Sequence, residues 1–322
     1  MRRAAYITAT GEPETIRVGE LPVPRLGPTD VLVAPEALAV DPVDTFIRSG
    51  AYRTPMTFPF VLGRDLVGEI VSTGPDVVGF TAGDRVWCNS MGHAGRQGSF
   101  ATLVVVSADR LYRLPRGVDA AEAAAALHPA ATAALGLRRT GLRAGETVYV
   151  GGAGGNVGAC VVRLARTAGA RVVATASPAD HERCRGLGAE AVFDYREPGL
   201  ARLLAEAAPG GFDLHWDTSG HHDLDTAAEV LAHGGRIVVM AGLGARPELP
   251  VGGLYTKDAS LVGFAISNAS IGDLAAAAEV VNRELAVGGL PVRIAGEFSL
   301  AETAEAHRRT ERAPSGRIVV RP

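Results

Sequence analysis

The segment Val148-Tyr-Val-Gly-Gly-Ala-Gly-Gly-Asn-Val-Gly158 has the residue types and the spacing needed to hold a pyrophosphate. Gly152, Gly155 and Gly158 recur at intervals of three, after a run that reads as a strand and at the opening of one that reads as a helix. One glycine permits the sharp turn, one lets backbone N–H groups approach the phosphates, and the last lets the helix lie close to the strand. The helix N-terminus then offers N–H donors and a partial positive charge. Gly152, Ala153, Gly154, Gly155, Asn156, Val157 and Gly158 are therefore the candidate cradle of a dinucleotide; the competing reading is a glycine-rich turn without a ligand.

The cofactor's identity turns on the next strand. NAD is held by an acidic residue at that strand's end, hydrogen-bonded to the ribose 2′-hydroxyl. Here the strand closes as Ala174-Thr-Ala-Ser-Pro178 with no carboxylate, and Ser177, His181, Arg183 and Arg185 follow as candidate partners for a 2′-phosphate. Asp180 would repel that phosphate, and a solvated helix face accounts for the same basic residues. NADPH is expected, ahead of NADH.

No Cys/His group has the spacing of a tetrahedral metal site, and no metal is expected. Cys88, Cys160 and Cys184 are odd in number and far apart, which fits buried thiols in a reducing cytoplasm. His221 and His222 are adjacent, and neighbours rarely face one point. The 322 residues carry 32 Lys+Arg against 35 Asp+Glu, a formal charge of −3, with no basic stripe among aromatics, so nucleic acid is not an expected partner. No apolar run approaches the roughly 20 residues of a membrane span. Arg2 and Arg3 are followed by Thr8, Thr10, Glu12 and Glu14 rather than an apolar stretch, so no secretion signal is expected.

Two kinds of chain must position these groups. Residues 1 to about 120 are rich in Pro, Gly and Val, with short β-like runs at 30–34, 66–71, 84–87 and 101–106 separated by turns such as Gly74-Pro75-Asp76. From Asp119 a capped, alanine-rich helix runs through Ala126, and a second helix is predicted after Pro129, over Ala130–Arg139. From Glu146, strands near 147–150, 171–174, 191–193, 212–216, 236–240 and 260–266 alternate with helices at 157–168, 179–187, 200–207 and 224–231, which predicts a doubly wound parallel sheet. Helices at 272–287 and 300–310 and a last strand at 317–320 are too few for a domain and are expected to pack back on the first one. The boundaries are placed at 1–122, completed by 268–322, with a nucleotide domain at 123–267.

The chain resembles the medium-chain dehydrogenase/reductase superfamily, and within it the quinone oxidoreductase (zeta-crystallin-like) and enoyl reductase branch. The residues that carry the resemblance are Ala39-Val-Asp-Pro-Val-Asp-Thr-Phe-Ile-Arg-Ser-Gly50, Leu62-Gly-Arg-Asp-Leu-Val-Gly68, Gly83-Asp-Arg-Val86, Gly98-Ser-Phe-Ala101, the Pro129…Thr132-Ala133 pair, the glycine loop and Ser315-Gly-Arg-Ile-Val319. The resemblance implies an α/β fold in which the Rossmann sheet is inserted into a mainly β, partly opened, GroES-like barrel domain, with nicotinamide in the cleft between them. It implies a homodimer through the edge strand 260–266. Thr132 matches a position beside the nicotinamide, and Tyr195, Thr218, Gly242, Leu243, Phe264, Ile266 and Arg317 are further expected cofactor contacts.

Zinc members of the superfamily carry a cysteine near position 40 and a Gly-His-Glu run. This chain has Asp41, and Arg64 in Gly63-Arg64-Asp65, and a guanidinium cannot ligate a cation. What remains is hydride transfer from NADPH to the electron-poor carbon of an enone or quinone, with donors that stabilise the developing oxyanion and a group that supplies a proton. Asp41, Asp44, Tyr52, Arg53, Arg64 and Asp65 are the groups near this chemistry. Asp41, Arg64 and Tyr52 are the expected catalytic residues, Tyr52 as proton donor or oxyanion partner, against its reading as an exposed loop tyrosine. Asp41 replaces the family's usual Asn and Phe46 its frequent Tyr. His93 and His128 are not expected here and read first as structural histidines, otherwise as substrate contacts. These departures point to a tailored small-molecule enone, as in a biosynthetic pathway. A nucleotide-binding regulatory protein and a cofactor-assisted isomerase or cyclase are the alternatives.

Overall fold

The computed structural model describes residues 1–313 and 315–322. The chain forms two compact units: Met1–His128 with Ser270–Gly288 and Val292–Pro322, and Pro129–Ala269 with Gly289–Pro291.

The first unit is built on a seven-stranded, mainly antiparallel sheet whose centre is the long strand Asp30–Val40. Asp65–Thr73 pairs along one edge of it, while Val104–Ser107 and Arg317–Arg321 share the other. Register shifts at Leu32/Val33 and Pro35/Ala37 bend the central strand, and a β-carbon on Gly68 would lie 2.3 Å from the Ala34 carbonyl oxygen, so only glycine fits that bend. Arg2–Ile7, paired to Arg17–Leu21 and Phe60–Val61, adds a three-stranded sheet that the sequence reading did not contain. Val31, Val33, Leu38, Leu66 and Phe100 fill the core with no exposed surface. The late helix Ile271–Ala286 belongs to this unit: Trp87 Nε1 donates to Asn282 Oδ1 (2.8 Å), whose amide donates to the Arg113 carbonyl (3.1 Å).

The second unit is a six-stranded parallel sheet in the order Ala191–Asp194, Arg171–Ala176, Thr147–Gly151, Phe212–Asp217, Leu231–Val239, Ser260–Gly263. The order reverses at Thr147–Gly151, and the crevice beyond such a reversal is where α/β sheets bind ligands. Arg236 ties the base of the sheet, donating to both Glu146 carboxylate oxygens (3.0 and 2.8 Å) and to the Thr140 and Asp213 carbonyls (3.0 Å each). All three cysteines are buried and none is in a disulfide. Among the described residues no helix is long and apolar enough to cross a membrane.

Three sequence expectations change. The two helices placed on either side of Pro129 are one, Ala120–Arg139, with the proline inside it. Proline removes one ladder bond at a cost of about 3 kcal/mol, and here that cost is offset by a helix buried over most of its length. The strand expected over 260–266 stops at Gly263, because its partner ends at Val239 and leaves nothing further to pair; Ile266 opens a 3-10 turn. The helix expected over 179–187 is a 3-10 turn, Pro178–Asp180, followed by a short helix, His181–Gly186.

Gly136 is the tightest helix contact in the second unit: a β-carbon there would lie 2.1 Å from Trp216 and 2.7 Å from Phe264. In an open helix alanine gains about 1 kcal/mol over glycine. Overpacking costs roughly 1–3 kcal/mol, so Gly136→Ala is expected to lower stability by up to about 2 kcal/mol, read from the urea midpoint.

Candidate active site

The glycine loop leaves the strand Thr147–Gly151 where the sheet order reverses. Gly152 takes the left-handed φ of +70° that turns the chain, and Gly155 N–H donates to Gly152 O (2.9 Å). A β-carbon on Gly158 would lie 2.3 Å from Gly152 O, so the helix Asn156–Thr167 approaches the loop only because no side chain intervenes. Its N-cap, Gly155, provides no side-chain cap. Such a first turn suits an outside anion, and a nicotinamide dinucleotide fits this cradle. Ala153 N–H donates to Thr175 O (2.9 Å), and the Thr218 hydroxyl donates to the Gly151 and Gly152 carbonyls (2.9 and 3.3 Å), fixing the loop from both neighbouring strands.

A cavity of about 460 Å³ opens beside it, reaching from Gly151, Gly152, Asp217 and Ser219 down to Tyr149 and His215. His215 lies against the Tyr149 ring at 4.4 Å, and Tyr149 shares a 2.9 Å hydrogen bond with Thr175. Burial pushes the His215 imidazole down to about 4, so it is neutral at pH 7.

The second strand's groups are disposed differently from the expectation. The turn Pro178–Asp180 brings a carboxylate back to the loop: a β-carbon on Gly154 would stand 2.6 Å from Asp180 Oδ2, which also accepts from the Ser177 hydroxyl (3.1 Å). Arg183 braces the loop backbone, donating to the Gly154 and Pro291 carbonyls (2.9 and 2.8 Å), and Arg185 pairs with Glu182 (2.5 Å). His181 Nε2 lies 3.3 Å from Ala176 O. Of the basic groups expected to take a phosphate, both arginines therefore have protein partners, which corrects their reading as open phosphate ligands.

The remaining expected cofactor residues of this unit are spread over it. Thr132 is buried in the long helix, Tyr195 is exposed beside Arg196, and Gly242 has a φ of +61° next to exposed Leu243. Phe264 meets Trp216 edge to face at 5.8 Å, and Ile266 is buried.

In the first unit the chain gathers a charged cluster. Asp41 caps the helix Pro42–Ser49, and its N–H donates to Asp44 Oδ2 (2.8 Å) in a capping box. Asp41 and Asp65 have no exposed surface, and Arg64 and Arg317 are 6% exposed. The Arg317 guanidinium, expected on the cofactor, instead donates to Asp41 Oδ1 and lies 3.8 Å from Asp65 Oδ2. His128 Nδ1 lies 3.4 Å from Asp41 Oδ2 and 3.6 Å from Asp65 Oδ1, and these three atoms have no hydrogen-bond partner among the described residues. One oxygen from each aspartate and the imidazole nitrogen are within 4.8 Å of one another, close enough to share one cation; the guanidinium of Arg317 is such a cation already in place.

The sequence reading groups Asp41, Arg64 and Asp65, but it takes His128 first as a structural histidine and places Arg317 on the cofactor, so neither is joined to them. A histidine closing the run Ala123-Ala-Ala-Ala-Leu-His128 was the available signal. Tyr52 is half-buried, its ring packed on the core and its N–H donating to Phe46 O (3.0 Å). His93 Nδ1 lies 2.9 Å from Ser90 O, and burial lowers its affinity for a proton.

Burial and the neighbouring Asp41 push the Asp65 carboxyl up to about 6, and the same two causes raise Asp44. Burial acts the same way on Asp41, but Arg317 and His128 overcome it and hold Asp41 below the usual carboxylate range. The folded protein therefore keeps the Asp65 proton to about pH 6, while the unfolded chain loses it near 3.8. The native state binds more protons in that window, so this group makes stability fall as pH rises from about 4 to 6. Asp65→Asn is expected to flatten that fall by up to roughly 3 kcal/mol, measured by urea unfolding at pH 4, 5, 6 and 7. An unchanged pH slope would show that Asp65 ionises as it does in water.

Residues 27–116 match the family described as the alcohol dehydrogenase GroES-like domain, and residues 156–283 the family described as zinc-binding dehydrogenase. The chain is 30% identical to a quinone oxidoreductase of Mus musculus over 313 residues, covering 95% of this chain and 93% of that protein. It is 30% identical to a quinone oxidoreductase of Pseudomonas aeruginosa over 331 residues, covering 100% of both. Among solved structures it is similar to a mycobacterial protein complexed with NADPH, at a TM-score of 0.85 and 27% identity, with 100% of both chains covered.

Proposed function

Because the chain belongs to the medium-chain dehydrogenase/reductase superfamily, in its zinc-free quinone oxidoreductase branch, we propose that it is a reductase acting with NADPH on a quinone or an α,β-unsaturated carbonyl compound. The observation that carries this is the cradle at Gly152–Gly158, closed to any side chain and open at the helix N-terminus, at the point where the parallel sheet reverses its order. The loop holds the pyrophosphate, with Ser177 and His181 on the side of the adenosine ribose. Bound reduced nicotinamide supplies a hydride. The protein's share is to orient the acceptor, to stabilise charge on its oxygen and to deliver a proton. Arg64 and Arg317, both nearly buried, are the cations of the first unit suited to the oxyanion. Three buried thiols fit a cytoplasmic enzyme.

NADH is the second reading, and Asp180 favours it. A carboxylate beside Gly154 can accept from a ribose 2′-hydroxyl and repels a 2′-phosphate. The purified protein is expected to oxidise NADPH with a panel of benzoquinones, naphthoquinones and 2-alkenals, and to do so faster than with NADH. A preference for NADH assigns the ribose to Asp180. Tight NADPH binding without turnover of any acceptor would overturn the reductase reading in favour of a regulatory or non-redox role.

The edge strand Ser260–Gly263 has one free side in the parallel sheet, and exposed Leu261, Tyr255 and Val251 lie on or just before it. We propose that two chains pair through this edge. Light scattering is expected to give a dimer for the wild type and a monomer for Leu261→Asp; a monomeric wild type would rule the pairing out.

A further inference from the structure

We propose that His128 is the proton donor of the reaction, oriented by the carboxylates of Asp41 and Asp65. This deepens the reductase reading and rests on it. The geometry lies wholly within the first unit. The Nδ1 edge of the ring faces two carboxylate oxygens, at 3.4 and 3.6 Å, which are buried and have no hydrogen-bond partner among the described residues. The Nε2 edge has no partner among the described residues, and the side chain keeps 12% of its surface exposed. An imidazole oriented by carboxylate at one nitrogen and left open at the other can pass a proton at the open nitrogen. The separations exceed those of a formed hydrogen bond, and catalytic contacts commonly tighten only when the site is loaded.

The surroundings let one proton come and go. The charged and titratable groups around the ring are Asp41 at the helix cap, Asp44 in the first turn, Arg64 and Asp65 at the start of a strand, and Arg317 on the last strand. Burial and the nearby Asp41 push Asp44 towards its protonated form, and the carboxylates of Asp41 and Asp65 stand against the guanidinium groups of Arg64 and Arg317, so opposite charges offset one another in the buried cluster. Asp65, with a carboxyl pushed up to about 6, is the neighbour best able to share the proton. Tyr52, the donor expected from the sequence, is absent from this cluster.

The balance is simple. A hydride forms a new C–H bond at the acceptor carbon, and the displaced π pair moves to the conjugated oxygen. The N–H bond at His128 Nε2 breaks as its proton goes to that oxygen, and the neutral ring regains a proton from solvent. The acceptor gains two electrons and the nicotinamide loses two.

The test uses the full chain with the enone that the wild type turns over best. His128→Asn and His128→Gln are expected to lower kcat by about 10²–10⁴-fold, with the affinity for NADPH, read by its fluorescence, unchanged. The acid-dependent limb of the kcat profile disappears with them, and added imidazole restores part of the rate to His128→Ala. In the cofactor-free protein, Asp65→Asn is expected to move the ring-nitrogen resonances of His128, a readout independent of turnover. A wild type active on enones whose His128 variants keep full rate overturns the assignment alone, as does a loss confined to Tyr52→Phe. A wild type silent on every acceptor removes the reductase reading and the assignment with it. Loss of wild-type activity to a chelator, restored by zinc, also overturns it, since the carboxylates and imidazole would then hold a metal ion.

Discussion

Three carboxyl groups, those of Asp41, Asp44 and Asp65, lie within the first unit with at most 1% of their surface exposed. Each ionised group withdrawn from water costs several kcal/mol unless cations and donors replace the solvent. The replacements come from distant parts of the chain. Arg317 arrives on the last strand, Arg64 stands beside Asp65, and the cap of Pro42–Ser49 gives Asp44 its donor. The central strand Asp30–Val40 delivers Asp41, and its antiparallel partners deliver Asp65 and Arg317. Removing the last strand would leave charge buried without compensation, so the chain's end is a structural requirement of a site whose first residue is near position 40.

The second unit handles charge by geometry instead. Its loop has no cation of its own, and it presents backbone N–H groups at a helix start that glycine alone can bring so close to the strand. Arg183 and Thr218 each donate to loop carbonyls, which holds the cradle in shape. Ser177, Asp180 and His181 stand on the turn that follows the neighbouring strand and folds back towards the loop.

The parts of this molecule that could be read from its sequence are those in which one residue type has one physical use. Glycines at 152, 155 and 158 have few reasons to be spaced so, and the alternation of strands and helices after Glu146 follows from periodicity. What escaped depended on contacts that no local pattern contains. Pro129 normally breaks a helix, and only burial of Ala120–Arg139 keeps this one whole. In sequence Asp180 weighs against a 2′-phosphate, but only the turn at Pro178 shows its carboxylate standing against the glycine loop at Gly154. His128 and Arg317 lie at sequence separations from Asp41 and Asp65 that cannot be bridged without the sheet that assembles them.

The cysteines take on a further meaning beside the proposed acceptors. Quinones and enals are Michael acceptors, and the group they alkylate most readily is an accessible thiolate. Cys88, Cys160 and Cys184 are each at most 2% exposed, and burial holds the Cys88 thiol in its protonated, unreactive form. An enzyme handling such electrophiles meets its own substrate as a poison at every turnover. With acceptors of that class, burying each sulfur would be a form of self-protection, letting the protein outlast compounds that arylate exposed thiols.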